Sequence, residues 1–272
     1  MKTKHLCLAA LLLSSLEIFA QHPLVGTWEM VSIKGTGFDG KTFSADASSA
    51  REIKIITPTH YMLIAQDVKG DSLVFNRSHS GTVHFDGNKY IERQEIASWE
   101  DLKPVSYTFN WKVEGNKFIQ SGTITREDGK TATLEELVFK RMKAENAYPK
   151  NPSIGTWDQL SSHYTTTEGK KESHTRETAI RFQIITPTHW IRINRRNNKF
   201  ESALAGTYTM KGNTIFPLIE VASFPINNKD KAQFSQRIED DKLYVAGKLI
   251  FENGKTLTWD DVYQKVDVKL IK

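Results

Sequence analysis

Ile55-Ile56-Thr57-Pro58-Thr59-His60 and Ile184-Ile185-Thr186-Pro187-Thr188-His189 are the same six residues, 129 positions apart. Gly26-Thr27-Trp28 returns at the same displacement as Gly155-Thr156-Trp157, so the Trp-to-His spacing is 32 in both places. Solenoid units repeat every ~20–50 residues, and a period this long is instead the size of a small domain. The chain therefore reads as two copies of one fold, residues 22–143 and 151–267, joined by a short Pro-containing linker at 144–150.

The second half of each copy aligns at a displacement of 125: Gly81-Thr82 with Gly206-Thr207, Gly87-Asn88 with Gly212-Asn213, Gly122 with Gly247, and Gly129-Lys130-Thr131 with Gly254-Lys255-Thr256. Copy two is thus shorter by four residues between His189 and Gly206. The local pattern is β almost throughout. Residues 105–113 alternate apolar and polar, break at Glu114-Gly115-Asn116, and resume as a strand over 117–125. The same reading places the other strands of copy one near 27–33, 51–56, 60–66, 80–85, 89–96 and 131–140, about eight per copy. An all-β meander of eight antiparallel strands closes into an up-and-down barrel, which removes exposed edges, and a sandwich is the alternative. In such a barrel alternate connections share an end. Segments 34–50, 67–79, 97–104 and 126–130 then form a mouth, and the tight turns at Thr57-Pro58-Thr59, Asp86-Gly87-Asn88 and Glu114-Gly115-Asn116 form a floor.

Gly-x-Trp at the start of the first of eight strands resembles the lipocalin, or calycin-type, signature. With the Ile-Thr-Pro-Thr-His-aromatic block it is similar to tandem lipocalin-like domains of secreted Bacteroidota proteins, a family of unknown function. The resemblance covers nearly all of both copies, which are short and lack the terminal helix of true lipocalins. It implies two tandem barrels, and it implies a basic side chain of the last strand covering the first-strand Trp. Trp28, His60 and Arg141 are the expected floor of copy one, and Trp157, His189 and Lys265 that of copy two.

Residues 1–20 read as a secretory signal: Lys2 and Lys4, an apolar run from Leu6 to Leu13, and a cut near Ala20. The expected product is secreted or periplasmic. Cys7, the single cysteine, falls inside the signal, so the remaining chain has no disulfide, no cysteine-zinc site and no thiol nucleophile. No later stretch reaches the ~18 apolar residues of a membrane-spanning helix. The net charge of +5 is interspersed, without the concentrated basic stripe that nucleic-acid binding needs. No cofactor fingerprint or metal-ligand spacing is present, so neither is expected, and a monomer is.

His60 and His189, repeated at the floor, read as scaffold before they read as bases. Strand 131–140 places Leu134, Glu136 and Val138 on one face, matched by Trp259, Asp261 and Tyr263, which suggests one acid inside each lumen. Glu95 and Glu220 are a second repeated acid, the latter on a face with Phe216 and Leu218. These four acids are the candidate catalytic residues of a small barrel enzyme. His79 and His84 read as surface. Tyr107, Phe109, Trp111, Gln120 and Glu136 are the candidate ligand-binding residues of copy one, and Phe234, Gln236, Trp259, Asp261 and Tyr263 those of copy two. The leading expectation is a small apolar or amphipathic molecule held in a lumen, gated by 34–50 and 67–79 in copy one and 163–178 in copy two. The alternatives are the enzyme and a non-catalytic protein- or glycan-interaction module.

Overall fold

The computed structural model describes residues 22–99, 106–126, 128–197, 199–225, 227 and 229–266. The expected signal, its cut near Ala20 and residue 267 lie outside them. Every regular element among the described residues is a strand. Copy one comprises β1 (Gly26–Thr36), β2 (Thr42–Asp46), β3 (Ala50–Ile56), β4 (His60–Lys69), β5 (Ser72–Asp86), β6 (Lys89–Ala97), β7 (Ser106–Glu114), β8 (Lys117–Thr125) and β9 (Thr131–Arg141). Copy two repeats the order as β10 (Gly155–Thr166), β11 (Lys171–Thr175), β12 (Ala179–Ile185), β13 (His189–Arg196), β14 (Lys199–Lys211), β15 (Thr214–Ala222), β16 (Lys231–Glu239), β17 (Lys242–Ile250) and β18 (Thr256–Lys265). No helix among them is long and apolar enough to cross a membrane.

Each sheet closes antiparallel on itself, because β1 pairs with both β3 and β9, and β10 with both β12 and β18. The result is two closed eight-stranded antiparallel barrels. The ninth strand of each, β2 or β11, lies along the far half of β1 or β10. This corrects the expected gates. Segment 34–50 holds the end of β1 and all of β2, and 163–178 is its duplicate. Segment 67–79 is a ladder from β4 into β5 around a tight turn at Gly70, with Val68 opposite Leu73. Paired strands satisfy their own backbone groups and do not swing as loops do.

The glycine of each Gly-Thr-Trp is explained by its backbone: Gly26 and Gly155 have φ of 145° and 144°, which side chains rarely tolerate. An added Cβ on Gly26 would also collide with the Arg141 guanidinium. That guanidinium lies 4.1 Å over the Trp28 ring and donates to the carbonyls of Val25 and Pro23 at 3.0 and 2.6 Å. Lys265 sits 5.8 Å from the Trp157 ring. The two indoles donate to Leu24 O and Ser153 O at 2.8 and 2.7 Å.

The barrels pack on one another through the outer faces of β3 and β4 against those of β12, β13 and β14. Ile53, Ile55, Met62 and Ile64 share a core with Phe182, Ile184, Ile191 and Ile193, which are their own duplicates at a displacement of 129. An interface that meets its own copy in this way is isologous, as in a two-fold dimer. Around it, Gln66 donates to Ala222 O at 2.8 Å and Phe75 stacks on Phe200 at 5.3 Å. Arg51 joins Glu29 at 3.2 Å and Glu220 at 2.9 Å. The linker joins this packing, since the Tyr148 N–H donates to Pro187 O at 2.7 Å and its ring stacks on Tyr208.

His60 and His189 belong to this seam and not to the floor beside the indoles. His60 shares a face of β4 with Met62 and Ile64, and its ring lies 5.2 Å from Phe182. The expectation fails because Tyr61, not His60, takes the inward position.

Truncating Ile55 or Ile184 to alanine removes a fully buried side chain, at a cost of about 2–5 kcal/mol. Wild type is expected to unfold in one calorimetric transition. Ile55→Glu with Ile184→Glu places two acids in the seam and is expected to separate the barrels into two transitions. A single unshifted transition in that variant would contradict the seam as the source of their coupling.

Candidate functional site

Alternation along β3 is fixed by the seam. With Ile53 and Ile55 facing the second barrel, Glu52, Lys54 and Ile56 must face the lumen of the first. Glu52 and Lys54 are 2% and 1% exposed, so both charges are inside the protein. Lys54 is ion-paired with Glu92 of β6. Its ammonium also lies 5.2–5.6 Å from the ring centroids of Tyr61, Tyr90 and Phe139, an aromatic cage that favours a cation. Arg77 of β5 joins Glu52 at 2.7 Å. Tyr107 donates to Gln94 Oε1 at 3.0 Å, and the Tyr61 hydroxyl meets His79 Nδ1 at 3.0 Å. Burial, then the charges of Lys54 and Arg77, push the His79 imidazole well below its usual range, so it stays neutral.

Above this network lies a cavity of about 1090 Å³. Glu52, Lys54, Arg77, His79 and Glu92 form one wall, and Ile33, Phe38, Phe43, Leu134 and Leu137 another. Tyr107, Phe109 and Gln120 line it as well. Trp111 belongs to the same core but sits toward the floor, with its ring 5.1 Å from His22. Of the copy-one ligand candidates, Trp111 does not line the cavity and Glu136 does not face the lumen. Glu135 is an extra residue in β9: Leu134 pairs with Gly122 and Gly35, whereas Glu136 pairs with Lys34 and Leu137 with Gln120. The bulge flips the face, so Leu134, Leu137 and Phe139 point inward and Glu136 points out beside Ser32 and Lys34. The structural partner of Asp261 is therefore Leu137, as Met30 pairs with Phe139 where Gln159 pairs with Tyr263.

In barrel two Asp261 does face the lumen, 2% exposed. Arg181, the duplicate of Glu52, meets it at 2.9 Å, meets Asn194 Oδ1 at 2.9 Å and contacts the Tyr164 hydroxyl. Tyr263 donates to Asp261 at 3.0 Å, and burial, then the Asp261 charge, raises its phenol well above the usual range. Gln236 donates to Asn151 at 2.7 Å, which plugs the floor. Phe234 packs against the core of this barrel, and Trp259 lies over Gly247.

Glu95 and Glu220 also lie outside the lumen, Glu95 on the outer face of β6 with Arg93 and Glu220 on that of β15 with Phe216 and Leu218. Each is the extra residue of a bulge, opposite Gly81 and Gly206, where a Cβ would strike the facing strand's carbonyl. Glu95 is exposed, and Glu220 binds Arg51 at the seam. Phe216 and Leu218, thought to mark a lumenal face, are 38% and 61% exposed. The proposed acid pairs, Glu95 with Glu136 and Glu220 with Asp261, do not share a lumen. Reading the sequence missed Glu52, Lys54, Arg77, Glu92, Arg181 and Asn194. The available signal was the alternation Glu52-Ile53-Lys54-Ile55, whose inward face is fixed only once the second barrel is known to cover the isoleucines. His79, read as surface, is 9% exposed. Among the described residues, no group of three or more His, Cys, Asp or Glu could hold a metal.

No family model and no curated protein matches the chain. Solved structures similar to it include a protein of unknown function from the DUF3598 family of Nostoc punctiforme, 12% identical, with 89% of this chain and 96% of that chain covered and a TM-score of 0.28. Transferrin binding protein B of serogroup B Neisseria meningitidis is 7% identical over 89% of this chain and 76% of that one, with a TM-score of 0.29. Kievitone hydratase from Nectria haematococca is 11% identical over 88% of each chain, with a TM-score of 0.20. Likeness this loose assigns neither a ligand nor an activity to this chain.

Two variants probe these buried charges. Glu92→Gln strands the Lys54 ammonium and is expected to cost about 3–5 kcal/mol in urea denaturation. Lys54→Met with Glu92→Leu removes both charges and is expected to recover most of that loss. A double variant as unstable as the single one would show that the pair itself holds the barrel. For His60, burial lowers the imidazole to about 4, whereas an unfolded histidine protonates near ~6.5. The unfolded state then binds the extra proton, so stability falls as pH drops from about 7 to about 5, by roughly 2 kcal/mol from this residue. His60→Gln is expected to remove that much of the pH dependence, and identical curves for both proteins would contradict it.

Proposed function

We propose that this protein is an exported binder of a small amphipathic molecule, held non-covalently in the lumen of barrel one. The observation that carries this reading is the cavity of about 1090 Å³ with one apolar and one polar wall. Ligand pockets are typically ~300–1000 Å³, mostly apolar, with a few placed polar groups. Phe38, Phe43, Phe109 and Leu134 supply the apolar surface, and the Glu52–Arg77 and Lys54–Glu92 pairs supply the polar surface. The Arg181–Asp261 network occupies the corresponding interior of barrel two. Copy one is therefore the binding copy and copy two its packed support. Export follows from the reading of residues 1–20 and suits a chain whose cysteine lies within that segment.

Catalysis by paired lumenal acids is disfavoured. The buried acids Glu52, Glu92 and Asp261 are each tied to a cation, and Glu95, Glu136 and Glu220 lie outside the lumens. The binding reading is tested with an environment-sensitive apolar dye titrated into the full chain. One dye per chain is expected, with affinity reduced at least ~10-fold by Ala132→Trp, which fills the cavity beside Leu134 and corresponds to about 1.4 kcal/mol. Undiminished dye binding in that variant would place the site elsewhere.

A further inference from the structure

Building on the reading of barrel one as the binding copy, the geometry points to an uncharged, hydroxylated lipid as its occupant, with the hydroxyl bound at Gln120. Gln120 is 3% exposed, lines the cavity, and its Oε1 has no hydrogen-bond partner among the described residues. A buried acceptor left unpaired costs about 1–3 kcal/mol. Its ladder neighbours cannot help: Leu137 on β9 is apolar, and Trp111 on β7 offers an indole N–H that is itself buried without a partner. Trp111 is not among the cavity-lining residues, so of this pair only the Gln120 acceptor faces the open volume. A hydroxyl donates the hydrogen bond that this acceptor lacks.

This polarity is not required by the fold. The register equivalent of Gln120 in barrel two is Val245, which pairs with Asp261 where Gln120 pairs with Leu137. Trp111 corresponds to Gln236, whose amide donates to Asn151. The scaffold therefore closes without Gln120, and barrel one retains it beside a cavity.

The charges decide the rest. Lys54 with Glu92 and Arg77 with Glu52 cancel two by two, the other charged lining residues Arg126 and Asp128 balance each other, and His79 is neutral, so the lumen offers no net charge to a buried ion. An anionic head would face the two carboxylates, a cationic one the ammonium and the guanidinium, and an uncompensated buried charge is costly. A neutral occupant avoids both, with its apolar body against Phe38, Phe43 and Leu134.

The test uses the full chain and displacement of the apolar dye by three lipids with the same acyl chain: monopalmitoylglycerol, methyl palmitate and palmitate. Monopalmitoylglycerol is expected to displace at least ~10-fold more tightly than methyl palmitate, which lacks a donor, as one hydrogen bond of about 1.4 kcal/mol gives. Palmitate is expected to bind no more tightly than its methyl ester. In Gln120→Leu, and in Gln120→Met of closer volume, the preference is expected to fall to about 3-fold or less, judged against dye affinity remeasured for each variant. Circular dichroism confirms that each variant is folded. Tightest binding by palmitate would overturn the inference in favour of an anionic head on Arg77. A preference undiminished in both variants would overturn it by assigning the Gln120 site to ordered water. Failure of the dye to bind wild type removes the binding reading itself, which is a different result.

Discussion

The seam between the barrels is the constraint on which the rest depends. Ile53, Ile55, Met62 and Ile64 must be dry, and the surface that dries them is their own duplicate. A strand has only two faces, so committing the isoleucines outward commits the residues between them inward. Glu52 and Lys54 enter the lumen of barrel one by this rule, as Arg181 and Gln183 enter that of barrel two. The polar interior is thus a consequence of the apolar exterior. Each buried charge then needs a partner from another strand, and Glu92, Arg77 and Asp261 are those partners.

The same seam explains why Ile-Ile-Thr-Pro-Thr-His is so closely copied. In an isologous contact every residue serves twice, once in each copy, so the patch is constrained from both sides. The Thr57 and Thr186 hydroxyls accept from the His60 and His189 backbone N–H groups, both at 2.9 Å, which shapes the turn that delivers β4 and β13 to the seam. The symmetry is broken at its rim. Arg51 joins Glu29 to Glu220, but the duplicate of Arg51 is Ile180, so the salt-bridged clamp exists on one side only.

Strand content, the duplication and the closed barrel were legible in the sequence because turn glycines and period-two alternation are local signals. Trp28 and Arg141 were legible through the motif that carries them. What was not legible depended on partners distant in sequence. The face of β3 cannot be assigned without knowing that a second barrel covers its outside. Glu136 was placed inward by counting in twos from Leu134, and the bulge at Glu135 breaks that count, while Glu220 was placed inward on the face of Phe216 and Leu218, which is the outer one. The glycines that mark the bulges at Glu95 and Glu220, Gly81 and Gly206, were visible as repeats, but their meaning, close approach to a facing carbonyl, requires the paired strand. The extra strands β2 and β11 were read as loops because their exposed polar residues carry no core signal.

Why the two copies diverged inside, having kept their outside, follows from where hydrogen bonds close. In barrel two Arg181 spends its guanidinium on Asp261, Asn194 and Tyr164, all from the protein itself. In barrel one the corresponding position is an acid, and its cation comes from Arg77, which lines the cavity with a single carboxylate contact. A guanidinium has five donors. The Arg181 guanidinium is spent within the fold, and barrel one leaves capacity at Arg77 and at Gln120 facing open space. Gln159 Nε2 and Gln236 Oε1 of barrel two also lack a partner, so unpaired polar atoms do not by themselves mark a site. In barrel one the Gln120 acceptor faces a cavity with an apolar wall, which gains from any molecule that supplies both kinds of surface, and that open volume separates site from scaffold in this tandem.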